Sequence, residues 1–90
     1  MQLDPSEVIL ACGHVVRAER PVRLVVHHRD GMWQMTCGET DHPEDGGGAA
    51  PLHAAHLFER QPDLLTLPNI PAGQMAEQAH DDWLILDHDD

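Results

Sequence analysis

The chain has 90 residues, enough for one domain with a modest core. Hydrophobic residues make up 41% of it, close to the share in globular proteins, which argues against wholesale disorder. Five Arg and no Lys stand against 16 Asp and Glu, for a formal net charge of -11. This composition disfavours nucleic-acid binding, which needs a basic surface to neutralise phosphates. The same charge fits a basic protein partner or simple solubility.

The first half of the sequence predicts three strands. Residues 7–16, EVILACGHVV, are apolar and rich in β-branched side chains, and 22–28 and 32–37 continue the pattern. Asp30-Gly31, between the second and third strands, is a two-residue hairpin signal. When residues are paired successively from this turn, His28 lies opposite Trp33, and His27 points away from the core. Side chains alternate along a strand, so the predicted apolar face holds Leu24, Val26, Trp33, Met35 and Cys37.

The second half predicts a loop, a helix and a last strand. Residues 38–50 hold three consecutive glycines and clustered acids, which predicts an acidic Gly-rich loop. The main helix is expected over 51–60, with Pro51 in its first turn, followed by a helical turn in PDLLTL. Segment 74–80 fits helix or strand, 83–86 fits a strand, and 87–90 a frayed tail. The expected fold is a single domain over 1–90 of the α+β class, a small antiparallel sheet with a central hairpin and one main helix packed on it.

The order of these parts resembles a bacterial family of unknown function whose members are also catalogued as polymorphic-toxin immunity proteins of group thirty-three. The resemblance covers roughly residues 20 to 80. The matching residues are Trp33, Gly38 and Glu39, then Pro62, Asp63, Leu64, Leu67, Pro71 and Gly73. The sequence departs from the family pattern in placing Met32 before the tryptophan, in having Cys37 ahead of Gly38, and in its Pro62-Asp63 order. The resemblance implies a small α+β fold and neutralisation of a toxin by binding, with no known catalysis.

Four residues form a candidate metal site: Cys12, His14, Cys37 and His42. Zinc favours thiolate and imidazole ligands in sets of four. Cys12 and His14 lie two apart on the predicted first strand and would share a face, while Gly38 would let His42 turn back toward Cys37. The spacing is not that of a standard zinc finger. In the alternative interpretation the two cysteines are small buried hydrophobes and no cofactor is bound.

The other polar clusters have simpler explanations. His53 and His56 are three apart on the predicted helix but lack a fixed carboxylate for a hydrolytic metal site. The acids of the loop do not follow the order of oxygen ligands that a calcium-binding loop requires, and they are typical of a solvated surface. These acids are Glu39, Asp41, Glu44 and Asp45. If the resemblance holds, they are the expected contact with a basic partner.

The sequence therefore predicts a non-enzymatic binding module, an immunity-type inhibitor of a basic partner, with a small zinc-stabilised domain as the alternative. No apolar run approaches the roughly 18 residues of a membrane span, and the N-terminal MQLDPSE lacks the basic region of a secretory signal. With two cysteines, these features predict a cytoplasmic protein without a structural disulfide or membrane contact.

Overall fold

Six strands form one sheet in the order β4-β1-β3-β2-β5-β6. The computed structural model describes residue 4 and residues 6–38, 49–80 and 82–87. The strands are β1 (Val8–Ala11), β2 (Leu24–His27), β3 (Trp33–Thr36), β4 (Ala50–His53), β5 (Gln74–Ala79) and β6 (Asp82–Asp87). The helices are α1 (Gly13–Val16) and α2 (Ala54–Arg60), followed by a 3-10 turn, Pro62–Thr66.

The expected α+β fold, a small antiparallel sheet carrying one main helix, is wrong. The sheet is mixed, because β1 pairs with β3 in parallel while the other neighbouring strands are antiparallel. Within the described residues only α2, with seven residues, exceeds a single α-helical turn. In addition, residues 51–53, expected to be helical, and 74–79, expected to be helix or strand, lie in strands that extend the sheet.

The hairpin of β2 and β3 forms, but its register differs by one residue from the prediction. Val25, not Val26, pairs with Met35, and His27, not His28, pairs with Trp33. The turn causes this shift. His28 N–H donates to the Met32 carbonyl, so the loop has three residues, and its last, Gly31, has a φ of 94°. This is the arrangement of a turn followed by a left-handed glycine bulge rather than a two-residue turn.

The shift changes which side chains of β2 face the main core, although Val26 on the opposite face is also buried, at 4% exposure. Trp33 and Met35 face the core as predicted, at 6% and 0% exposure, and Val25 joins them at 0%. His27, expected to point outward, is buried instead. Its ring stacks on Trp33 with centroids 3.9 Å apart, and its Nδ1 lies 2.7 Å from the carbonyl oxygen of Ile70. Since a carbonyl only accepts, Nδ1 carries the proton in this bond.

The described helices pack with one face of the sheet, where the main core cluster lies. Apolar side chains of β1, β2, β3 and β5 pack there against α1, α2 and the segment after α2. The buried core residues outside the sheet include Val15, Val22, Ala54, Leu57, Phe58, Leu64, Leu67 and Ile70. The side-chain amide of Gln61, just after α2, forms two hydrogen bonds with the backbone of Val22. It accepts from Val22 N–H at 2.7 Å and donates to the Val22 carbonyl at 2.9 Å, so it links the end of α2 to the segment before β2.

The predictions for the second half of the chain are confirmed for some segments and wrong for others. The helix expected from Pro51 begins only at Ala54, because Pro51 lies in β4, an edge strand that tolerates a missing N–H. The helical turn after Pro62 and the last strand are confirmed. Asp87, expected in the frayed tail, is the last residue of β6, and 88–90 lie outside the described residues. Most of the predicted acidic loop, 39–48, also lies outside them.

Candidate metal centre

Three of the four predicted metal ligands meet at one end of the sheet. Cys12 directly follows β1, and His14 is the second residue of α1. Cys37 directly follows β3. The parallel pairing of β1 with β3 sets Ala11 beside Met35, so the two strands end side by side. Cys12 N–H donates to the Met35 carbonyl at 3.3 Å, which holds the two strand ends together.

The local structure that brings His14 to Cys12 is not the predicted one. The strand expected over 7–16 stops at Ala11, and the chain turns into α1 at Gly13. Cys12 has extended backbone angles, φ -70° and ψ 162°, and its carbonyl accepts the N–H of Val16 at 2.9 Å. His14 therefore reaches the thiols from the first turn of a helix, not from the same face of a strand.

The ligand atoms of Cys12, His14 and Cys37 all lie within 4.8 Å of one another. His14 Nδ1 is 3.7 Å from Cys37 Sγ. Around a tetrahedral zinc with ordinary bond lengths, a nitrogen and a sulfur ligand lie about 3.6 Å apart and two sulfurs about 3.8 Å. The three side chains are thus close to the separation that a bound ion requires.

Both cysteines are free thiols at buried positions, with 7% of Cys12 and 2% of Cys37 exposed, while His14 is partly exposed. Burial in apolar surroundings disfavours a reactive thiolate, although Cys37 also lines a surface pocket with Arg20, Pro21 and Arg23. The burial suits a metal bound within the fold. Gly38, with a φ of 77°, turns the chain away directly after Cys37.

A positively charged side chain that was not predicted from the sequence lies beside the cluster. Arg20 Nη1 lies 3.9 Å from Cys37 Sγ. Arg20 is part of the turn RAERP and meets Cys37 only through the folding of the chain. Its guanidinium would offset part of the negative charge that two thiolates bring to a metal.

An ion pair within the same turn lies on the surface. Arg17 Nε is 3.0 Å from Glu19 Oε1, and this hydrogen bond lowers the pKa of the Glu19 carboxyl below its ordinary value. Both side chains are about half exposed, so solvent weakens their attraction. Neither residue is among the three converging ligands.

The other predicted site residues fall into two groups, those outside the described residues and the histidines of β4 and α2. His42 and the acids Glu39, Asp41, Glu44 and Asp45 lie outside the described residues, so their predicted roles stay predictions. His53 and His56 are both exposed, with ring centroids 6.0 Å apart, and His53 ends β4 instead of lying in the helix. Across the described residues, no second set of three ligating side chains converges.

No protein-family model matches the sequence, and neither the curated proteins nor the solved structures give a match. The resemblance to the immunity family therefore stays a prediction. In the described part of the chain, no helix has the length and apolar character needed to cross a membrane. The convergence of Cys12, His14 and Cys37 is thus the feature that bears most directly on function.

Proposed function

We propose that this chain is a small zinc-stabilised domain in which Cys12, His14 and Cys37 bind the ion. The observation that carries the proposal is the approach of all three ligand atoms to within 4.8 Å. Two thiolates and an imidazole form a soft to intermediate ligand set, which suits zinc and disfavours calcium or magnesium. The buried positions of both thiols favour a role in folding over one in catalysis.

The position of the cluster supports this role. A bound ion would join the ends of β1 and β3 to the first turn of α1, and these elements meet near the middle of the sheet order. Domains of this size have limited cores, and a metal is a common way to stabilise them. The energy of metal binding would then be part of the energy of folding.

His42 remains the predicted fourth ligand. It follows Cys37 by five residues, a distance along the chain that can return to the cluster. A water molecule is the alternative in the fourth position. Replacing His42 distinguishes the two, because only a protein ligand is lost with its side chain.

Cobalt titration tests the zinc proposal directly, since tetrahedral Co²⁺ is coloured where zinc is silent. We expect one equivalent of Co²⁺ to give intense visible d–d bands and thiolate charge-transfer absorption, and Zn²⁺ to displace it. Cys37→Ser or His14→Ala should weaken binding by more than the roughly 100-fold cost of losing an outer-shell partner.

His53→Ala is the matched control, because it removes an exposed imidazole away from the cluster and should leave the spectrum unchanged. A fourth protein ligand predicts that His42→Ala weakens binding, whereas a bound water predicts no change. Octahedral, weakly absorbing cobalt, or cobalt that Cys37→Ser leaves bound, would refute the proposed site.

A second function, a binding module of the immunity type for a basic protein partner, is favoured by the distribution of charge. The net charge is -11, and the acids concentrate in 39–45 and 81–90. Such a surface attracts and orients a cationic partner. The loop residues Glu39, Asp41, Glu44 and Asp45 are the proposed contacts. A structural zinc and a partner-binding surface are compatible in one domain.

The partner proposal predicts that the product of a neighbouring toxin-like gene binds this chain tightly, and that raising the salt concentration weakens the complex. Calorimetry at two ionic strengths measures both effects. Neutralising the loop acids together, as Asn and Gln, should slow association. The absence of a toxin-like neighbour, together with a pull-down that yields no basic protein, would count against this function.

A further inference from the structure

The two edges of the sheet differ in how well they are protected against another strand. At one edge, β4 has four residues and contains Pro51. At the other, β6 has six residues and no proline. Its apolar side chains remain partly in solvent, with 51% of Leu84, 38% of Ile85 and 40% of Leu86 exposed. A long apolar edge without proline is a ready template for pairing, so β6 is the edge open to a partner.

The hydrogen-bond pattern identifies which residues of β6 offer backbone groups to a partner. Gln78 N–H donates to the Arg23 carbonyl, so even-numbered residues of β5 point their backbone groups toward β2 and odd-numbered ones toward β6. Glu77 pairs with Leu84. The backbone groups of Leu84 therefore face β5, and those of its neighbour Ile85 face away from the sheet. No described strand pairs with that side of β6.

Charge decides which partner can use this edge. Asp82 and Asp87 are the first and last residues of β6, and Asp81, Asp89 and Asp90 stand beside them in the sequence. If two copies paired in antiparallel fashion about Ile85, Asp87 of one would oppose Trp83 of the other, and the acidic ends of the two strands would lie side by side. Like charges brought close together repel each other, and each copy carries a net charge of -11. The acids thus discourage self-association and favour a cationic strand.

We propose that β6 accepts an extended segment of a cationic partner protein as a seventh strand, with an apolar centre and Lys or Arg at both ends. Main-chain hydrogen bonds to Ile85 and its outward-facing neighbours hold the segment, and its end charges meet the aspartates. The inference rests on the second proposed function, a basic partner, and names the surface that this partner uses.

A designed peptide tests the docking mode. The probe has alternating Val and Thr flanked at both ends by pairs of Lys, and a Glu-flanked peptide is its control. We expect the Lys peptide to bind and to slow hydrogen exchange at the Trp83 and Ile85 amides. Ile85→Pro removes one outward N–H and should bind the peptide about tenfold more weakly than Ile85→Ala, which keeps it.

Proline at an outward-facing edge position leaves the ladder to β5 intact, which protection of the Leu84 and Leu86 amides verifies. Equal affinities of the Pro and Ala variants, or no protection of β6 amides in the unaltered chain, would overturn strand pairing. Binding of the Glu peptide would overturn the charge argument. A complex with the neighbouring gene's product that Ile85→Pro leaves unchanged would refute this docking mode and leave the binding function standing.

Discussion

The zinc-loaded protein is expected to melt about 15–30 °C above the metal-free protein. Zinc at a thousand times its dissociation constant stabilises the folded state by about 4 kcal/mol, if it does not bind the unfolded chain. In a domain of this size each kcal/mol moves the melting temperature by about 4–8 °C. Circular dichroism melts with free zinc at a thousand times its dissociation constant and with chelator measure the difference directly.

Cys37→Ala provides the comparison that separates a ligand from a small buried side chain. If Cys37 binds zinc, the variant loses most of the difference between the zinc and chelator melts, whatever its own stability. If Cys37 only fills space, chelator has no effect on the unaltered protein, and the variant melts slightly lower under both conditions. His56→Ala, which removes an exposed imidazole, should keep the full zinc response. Unchanged melting of the parent protein on chelation would exclude zinc stabilisation.

The sequence predicted the hairpin but could not fix its register. Leu24, Val25 and Val26 are apolar in succession, so the pattern of β2 does not show which side faces the core. The register then depends on the length of the turn, and an Asp-Gly pair is compatible with loops of either two or three residues. In the folded chain, Asp30 Oδ1 accepts the N–H of Met32 at 2.9 Å, consistent with the three-residue loop. A one-residue difference in loop length moved His27 from the predicted surface into the core.

The candidate site was predicted in part, and for a partly wrong reason. Ligand types and an assumed shared strand face for Cys12 and His14 suggested that these two residues and Cys37 converge, and the three do. The helix that carries His14 could not be predicted, because α1 has only four residues and is too short to show a helical period within an apolar run. Parallel pairing of β1 with β3 joins segments more than twenty residues apart, which local patterns do not encode. The approach of Arg20 to Cys37 has the same long-range origin.

The position of β4 shows how tertiary context can override a local signal. Pro51 is typical of a first helical turn, and the apolar spacing after it supported a helix from that residue. The structure places Pro51 in an edge strand paired with Leu10, where its lack of an N–H can be tolerated. Edge or interior position is a property of the whole sheet. A sequence pattern without the strand order therefore could not distinguish these outcomes.

Val25→Lys is expected to unfold the domain, whereas Leu24→Lys should shift its melting temperature by only a few degrees. Val25 is fully buried on the core face, and a lysine there would place a charge in the apolar interior, a change in the most destabilising class. Leu24 is only partly buried on the opposite face, where it pairs with Glu77 across β5, so the new ammonium can reach both water and a carboxylate.

The two variants make the same chemical change one residue apart, so chemical denaturation of each compares the two faces of β2 directly. A small effect of Val25→Lys beside a large effect of Leu24→Lys would mean that the hairpin pairs in the register first expected from the two-residue turn. His27 would then leave Trp33, and every strand position on β2 would exchange faces. In the observed register, the Val25→Lys variant must lose the larger part of the free energy of unfolding. Of the two residues, only Val25 packs beside Met35 in the core.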